Sequence, residues 1–536
     1  MDGMAGGNGP IPAGGSVRRV MGTETEYGIS VPGRPEANPM ITSGRVVQAY
    51  AQAHGHRHLA HQWDYAGESP LDDARGGSLR RDQAHPSQLT DEWALDPSVA
   101  NVVLTNGARL YVDHAHPEYS APEVTSPRDA IVWDRAGELV MARAAELLEG
   151  DVPPDAPESD PRRGPGVRLY KNNSDGKGAS YGFHENYLLS RATPFARLVT
   201  DLTPFFVSRP LICGAGRVGI GVESGVPGYQ VSARADFFEQ RVGLETTFRR
   251  PIINTRDEPH ATPERYRRLH VIVGDATHAD VAGLLRAGTT SLVLGLIEAG
   301  GLAAYGARVG DLMPADPVEA MHVFSHDPTL RASVRTESGR TLTALQLQWA
   351  YLQLVSSHLA RVTGGELDAD TAEVMLRWEQ ILTTLEADPM GARAQLDWVA
   401  KLALLQGYRD RDGLSWDDPR LAAIDIQWSD VRPGRGLARR LEASGRLERL
   451  VTDGAVSAAV GEAPQDTRAW FRGECLRRYG DAVVAASWDS LVFDVPGRGA
   501  LQRVATLEPL RGTRERTAEL LDRCPDAATL LAELTR

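Results

Sequence analysis

The stretch VMGTETEYGI, residues 20–29, sets Glu24 and Glu26 two positions apart in what reads as a strand, so both carboxylates leave the same face. Two such groups held side by side repel and raise each other's pKa unless a cation lies between them. A second stretch, ARLYVD, puts Arg109, Tyr111 and Asp113 on one face by the same alternation. Alone, that strand reads as the solvated face of an antiparallel sheet. Glu118 and Glu123 follow closely in DHAHPEYSAPE, however, and these are more ionisable groups than a surface turn needs. On adjacent strands, Glu24, Glu26, Tyr111, Asp113 and Glu118 would make a hard-cation site of the kind magnesium favours when it bridges carboxylates to nucleotide phosphates. Arg109 would add a fork of donors suited to a phosphate.

Other chemistries lack their residues. NNSDGKGASYG has glycines around Lys177, but not at the spacing of a phosphate-cradling loop, and no G-x-S-x-G, H-E-x-x-H or Cys–His nucleophile pattern occurs. In GFHENYLL, His184 and Asn186 share one strand face and Glu185 and Tyr187 the other. At least one face is expected to meet a polar site, because an apolar core accepts neither pair cheaply. A buried, hydrogen-bonded His184 and a functional one fit that pattern equally. Arg234, Asp236, Arg256, Asp257, Glu258 and His260 read as turn and ion-pair residues.

The elements that must position these groups are legible in outline. A strand over about 19–31 opens the chain, and the alternation of ARLYVD follows the turn signal NG. A helix over 127–149 begins at Pro127 with apolar residues at helical spacing. Strands are expected in VRLYKNN, SYGFHENYLLS, RVGIGV, YQVSARADFF and RRLHVIVGDA, then amphipathic helices near 279–299, 341–361, 371–387 and 393–408. Strands first and helices later indicate an α+β fold rather than a doubly wound parallel sheet. Residues 34–100 show little periodicity and read as a long polar insert. Its histidines His54, His56, His58 and His61 fit a solvated loop better than a metal site. The expected organisation is a glycine-rich flexible tail (1–16), a large catalytic domain (17–464) carrying the insert (about 36–95), and a small C-terminal domain (465–536) after the boundary GEAPQDTRAW.

The net charge of −13 over 536 residues argues against a general nucleic-acid binder, whose affinity needs a basic surface. No apolar run reaches the roughly 18 residues of a membrane span. Cys213, Cys475 and Cys524 are too few and too far apart for a disulfide or zinc framework, which fits a reducing cytoplasm.

With RRVMGTETEYGI, NGARLYVDHAHPEYSAPEV, YKNNSDGKGASYGFHENYL, RADFF, RPIINTRDEPHA and YRRLHVIVGDA in the same order, the chain resembles the Pup ligase and Pup deamidase/depupylase family. The likeness continues more loosely to TRAWFRGECLRRYG and SWDSLVFDV. That family belongs to the glutamine-synthetase-like carboxylate–amine ligases. The resemblance implies a curved antiparallel sheet forming a cradle flanked by helices, with ATP (or ADP plus phosphate) and Mg2+ at one end and a small C-terminal domain. It implies that Glu24, Tyr111 and Glu118 are metal ligands, that Arg109 and Trp488 contact nucleotide, and that Asp113 is catalytic, as nucleophile or as general base. Glu26 joins the metal side by geometry. One branch of the family ligates the small disordered modifier Pup to lysines. The other hydrolyses the C-terminal carboxamide of Pup and the Pup–lysine isopeptide bond. GTETEYGI, VDHAHPEYS without a glycine turn after the aspartate, and the long insert resemble the hydrolytic branch, with the ligase as the alternative. The implied partners are Pup and pupylated proteins, linked to the bacterial proteasome system, without nucleic acid or membrane. Because Pup is acidic, a basic groove is expected from among Arg249, Arg250, Arg265, Arg267, Arg268, Arg432, Arg435, Arg439 and Arg440.

Overall fold

The structure, a computed structural model, describes residues 14–54, 63–84, 100–149, 160 and 164–535. The strands β1 (Met21–Glu26) and β2 (Gly28–Ser30) are followed by helix α1 (Pro39–Ala53), then by β3 (Asn101–Val103), β4 (Arg109–Asp113), β5 (His116–Ser120), α2 (Pro127–Glu149), β6 (Arg168–Tyr170) and β7 (Phe183–Ser190). β1 lies at the middle of a six-stranded antiparallel sheet, with β7 and then the strand Tyr266–Val271 on one side and β5, β4 and β3 on the other. Helices form most of the chain after residue 280, so the fold is α+β.

Register gathers one set of polar residues from neighbouring strands on a single face. Tyr111 pairs with Glu118, Glu118 with Glu26, Glu24 with both Ser120 and His184, and Asn186 with His270. The other face carries Leu110, Val112, Tyr119, Leu189, Leu269 and Val271, all buried. It packs against α1, α2 and the helix Asp280–Glu298. α2 lies so close that a β-carbon at Gly137 would collide with the Tyr119 ring. Thr25 of β1 ties the sheet to α2 through Asp134 (3.1 Å), which also accepts from the buried Lys171 (2.6 Å). Asp280–Glu298 is long and apolar enough to cross a bilayer, but it is enclosed in the core of the fold.

Both faces of β7 prove to hold polar pairs. On the packed face, Arg209 grips Glu185 with two bonds of 2.7 and 2.8 Å, Tyr187 donates to the same carboxylate (2.6 Å), and Thr290 accepts from the guanidinium (2.8 Å). Full satisfaction is what lets the core hold these charges.

Three expectations are corrected. The polar insert does not begin at residue 36, since Pro39–Ala53 is a helix capped by Asn38. Its Val46, Val47, Tyr50 and Ala51 are buried at helical spacing in a core shared with β4 and α2, and the intervening Thr, Ser, Gln and Gly obscured that pattern. His54 ends this helix, exposed and stacked on Tyr50, while His56, His58 and His61 lie outside the described residues. YQVSARADFF is not one strand: pairing stops at Gln230, Ala235–Phe237 is a 3-10 turn, and a new strand starts at Phe238. Ser232 Oγ accepts from the Arg234 and Ala235 amides and Asp275 from that of Ala233, which replaces ladder bonds with side-chain bonds. Of the expected tail, residues 1–13 lie outside the described residues, and Gly14 packs against His358, which bonds its carbonyl (2.6 Å).

The segment 63–84 runs irregularly between two parts of the fold. Trp63 bridges to Ala486, and Ser69 N donates to the buried Glu258 (2.6 Å) beside the outer strand of the sheet. Residues 468–534 contribute helices and a three-stranded sheet around a small core containing Phe471, Cys475, Leu491, Phe493 and Leu530, which Trp63 and Val103 also join.

Replacing Glu185 by Ala strands Arg209 in the interior, so stability is expected to fall by about 3–5 kcal/mol. The double variant Glu185→Met/Arg209→Met is expected to regain most of that loss, as read by denaturant unfolding of the three proteins.

Candidate active site

The polar face of the sheet lines a cleft of ≈ 460 Å³. Two groups of side chains on this face bring ligand atoms within 4.8 Å of one another: Glu26 with Asp113 and Glu118, and Glu24 with His184 and His270. Strand register supplies the direct pairs Glu26–Glu118 and Glu24–His184, while Asp113 and His270 sit opposite His116 and Asn186 and join their groups diagonally.

The four carboxylates are not equivalent. Burial raises the pKa of Glu118 well above the ordinary carboxylate range, and Asp113, Glu24 and Glu26 push it further. Tyr111 (2.6 Å) and Ser120 (3.1 Å) both donate to one oxygen of Glu118. Burial also acts to raise Glu24, but the His184 hydrogen bond, His270 and Arg268 outweigh it and hold this carboxyl well below its usual range. Glu24 accepts from Asn186 (2.7 Å) and faces His184 Nδ1 at 3.1 Å. Glu26 is lowered in the same way, against burial, chiefly by His116, whose Nδ1 lies 3.5 Å away.

Asp113 ends β4, and its side chain is one-third exposed (33%), open to the cleft. A two-residue turn, His114–Ala115, joins it to His116, with His114 held at φ 54°. This positive φ is unusual for a residue with a side chain. The His114 ring lies 3.0 Å from the Asp113 carboxylate. Burial works to raise the Asp113 pKa, yet His114, His184 and Arg109 take it down to about 2. Asp113 in turn lifts His114 to about 9.

At the opposite end of the row, Arg109 lies between the rings of Trp63 and Tyr111, 3.9 Å from each centroid, and donates to Asn101 (3.1 Å). Trp63 meets Trp488 edge to face at 5.3 Å. Trp488 borders both this cleft and a smaller adjoining pocket of ≈ 80 Å³ lined by Gly22, Ala121, Leu188 and Pro509 together with Glu123 and Arg468. Behind Trp488, Glu123 takes bonds from Arg468 Nε (2.7 Å) and from two nitrogens of Arg472.

All seven residues singled out from the sequence — Glu24, Glu26, Arg109, Tyr111, Asp113, Glu118 and Trp488 — border the cleft or join its carboxylate groups. His184 stands beside Asn186 on the face that alternation gives them, and His270, which the sequence reading does not include, completes the group with Glu24. The alternation of Arg268 and His270 in RRLHV was the available signal. The expected basic groove is corrected. Arg268 lies within the cleft, bonded to Asn186 (2.6 Å) and Glu258. Arg439 is bound to Glu138 and Glu442, Arg432 to Asp430 (2.6 Å), Arg265 to Glu508 (2.9 Å), and Arg267 is buried near Asp257. Arg250 donates to the carbonyls of Thr246 and Ser180. Only Arg249, Arg435 and Arg440 of the nine are exposed with no ion pair among the described residues.

Comparison with known proteins places this geometry. The Pup-ligase protein family model matches residues 19–492. A depupylase of Acidothermus cellulolyticus is 55% identical over 519 residues, which is 97% of this chain and 99% of the relative. A Pup deamidase/depupylase of Mycobacterium tuberculosis is 52% identical over 520 residues, again 97% and 99% of the two chains. A Pup–protein ligase of Paenarthrobacter aurescens is 40% identical over 425 residues, 79% of this chain and 90% of its own. The structure of the Pup ligase PafA in complex with ADP superposes with a TM-score of 0.67 at 35% identity, covering 79% of this chain and 90% of that one. The fold is therefore the glutamine-synthetase-like one.

Glu123 gives this region a defined acid sensitivity. Burial acts to raise its pKa, but the charges of Arg472 and Arg468 bring it down to about 2, from 4.5 in an unfolded chain. Because the folded pKa is depressed, the stabilisation is complete above pH 4.5 and is lost as pH falls toward 2. At neutral pH it is on the order of 3 kcal/mol. Glu123→Gln is expected to flatten the pH dependence of stability between about 4.5 and 2, measured by urea unfolding across that range.

Proposed function

The chain belongs to the Pup-ligase family, and from that membership we propose that it is a hydrolase of the deamidase/depupylase branch. It converts the C-terminal glutamine of Pup to glutamate and cleaves the isopeptide bond between Pup and substrate lysines. One observation carries this choice: the depupylases match 97% of the chain at 52–55% identity, whereas the ligase matches 79% at 40%. Its partners are accordingly Pup and pupylated proteins.

Both bonds are amides on the side-chain carbonyl of Pup's last residue, so one site serves both. Asp113 stands at the cleft in the ionised form that either available route requires. As nucleophile, its carboxylate attacks the amide carbon. The C–N bond breaks, the leaving ammonia or lysine amine takes up a proton, and water then hydrolyses the resulting mixed anhydride. As general base, Asp113 takes a proton from the water that attacks the same carbon, and that proton passes to the leaving amine. Glu24, Glu26, Glu118 and Tyr111 are the residues we assign to Mg2+. Their oxygen donors suit a hard cation, and the raised Glu118 marks a site with one negative charge too many for its surroundings. The cation would supply charge neutralisation at nucleotide phosphates and at the developing oxyanion.

The chain binds nucleotide, in keeping with the ADP held by its ligase relative. We assign Arg109 to its phosphates and the Trp488 ring to its base. Arg109 keeps its charge despite burial, supported by Tyr111, Tyr65, Glu68 and Glu118. ATP, or ADP with phosphate, shapes the site in this reading without being consumed by the hydrolysis. Three free cysteines, all buried, fit the reducing cytoplasm we assign as its compartment.

Incubation with glutamine-ended Pup, ATP and Mg2+ is expected to release ammonia with conversion of the terminal amide to acid, read by mass spectrometry. Conjugation of glutamate-ended Pup to a lysine-bearing protein without ammonia release would instead mark a ligase. Asp113→Asn is expected to lower deamidation at least about 100-fold, and full activity in that variant would exclude Asp113 from catalysis. EDTA is expected to abolish activity and excess Mg2+ to restore it. Activity that persists in EDTA would remove the metal assignment.

A further inference from the structure

We propose that Glu123 and Arg472 are positioning residues for the nucleotide, holding Trp488 and Arg109 at a fixed separation across the cleft. The inference rests on the assignment of those two residues to nucleotide. It starts from how one buried guanidinium is used.

Arg472, 3% exposed, sits on the helix Arg468–Tyr479 and divides its donors among three elements. Nη1 and Nη2 reach the Glu123 carboxylate just beyond β5. Nε (3.1 Å) and Nη2 (2.9 Å) donate to the carbonyl of Gly107, two residues before Arg109. Nη1 also donates to the carbonyl of Trp488 (2.9 Å), and the guanidinium lies 5.1 Å from the indole centroid. The contacts close a ring. Arg472 holds Trp488 and Gly107, Gly107 leads into Arg109, Arg109 stacks on Trp63, and Trp63 packs against Trp488. Gly107, at φ 81°, lets the helix pack directly on the turn, since a β-carbon there would be crowded at 3.1 Å from the Ala469 carbonyl oxygen.

Glu123 sets the orientation of this guanidinium. It is the carboxylate that neutralises both Arg472 and Arg468, and Thr467 Oγ1 bonds its carbonyl (2.7 Å). Arg468 also ties the C-terminal part to Glu123 (2.7 Å), while its bonds to the Thr506 and Pro509 carbonyls stay within that part. The planar fork of Arg472 adds a defined geometry that a lysine cannot reproduce.

The test uses the full chain and ADP as probe, with binding read directly by equilibrium dialysis and deamidation kinetics read alongside. Glu123→Gln and Arg472→Lys are each expected to weaken ADP binding about tenfold or more, as loss of a charge-assisted contact would. At saturating nucleotide kcat should stay near the wild-type value, because the groups that touch the amide are untouched. Unchanged ADP affinity in both variants, or a fall in kcat and Tm without a change in affinity, would overturn the proposal and leave the pair a structural clamp. Trp488→Ala separates the two levels of inference. If it binds ADP as tightly as wild type, the nucleotide assignment of Trp488 fails and the proposal with it. If it weakens binding while Glu123→Gln and Arg472→Lys do not, only the positioning role fails. Should Glu123→Gln not yield folded protein, Arg472→Lys, which keeps the charge pair, supplies the same comparison.

Discussion

Like-charge repulsion on one face of a sheet is the constraint around which this protein is organised. Glu24, Glu26, Asp113 and Glu118 are brought together by backbone register, which the ladder hydrogen bonds fix whatever the side chains prefer. The protein balances the group unevenly. Histidines and Arg268 hold Glu24 ionised, His114 holds Asp113 ionised, and Glu118 is left with Tyr111 and Ser120 as its hydrogen-bond donors and a raised pKa. An arrangement like this is costly without a counter-charge and would be favoured by a divalent cation, which is the physical ground of the proposed Mg2+ site.

The rest of the fold makes that face rigid. The reverse face of the sheet packs on α1, α2 and the buried helix Asp280–Glu298, and even there a fully bonded Glu185–Arg209 pair joins β7 to the core. Since side chains alternate across a strand, β7 presents His184 and Asn186 to the cleft and Glu185 and Tyr187 to the interior. One strand thus serves the site and the core at once.

A second set of constraints comes from residues far along the chain. Trp63, Glu123, Arg472 and Trp488 meet at one end of the cleft and bring together the insert, the central sheet and the C-terminal part. Arg109 is held there by aromatic faces on both sides, which orient a buried cation, with Glu68 and Glu118 near enough to favour its charge.

Alternation in the sequence determined which side chains share a face: Glu24 with Glu26, Arg109 with Tyr111 and Asp113, and His184 with Asn186. Periodicity of 2 or 3.6 is a local property, so the helix at 127–149 and the strands at the site were legible, whereas α1 was hidden by its polar and small residues. The ordered motifs carried the family. Tertiary structure alone decided which strands are neighbours, and so that His270 joins Glu24, that Arg268 and Arg439 are spent on internal carboxylates, and that Glu123 is bound by two arginines more than 300 residues away. Such pairings depend on register and long-range packing. Residue type and local spacing do not encode them, because a charged side chain reads the same in sequence whether its partner is solvent, a ligand or a buried ion of opposite sign.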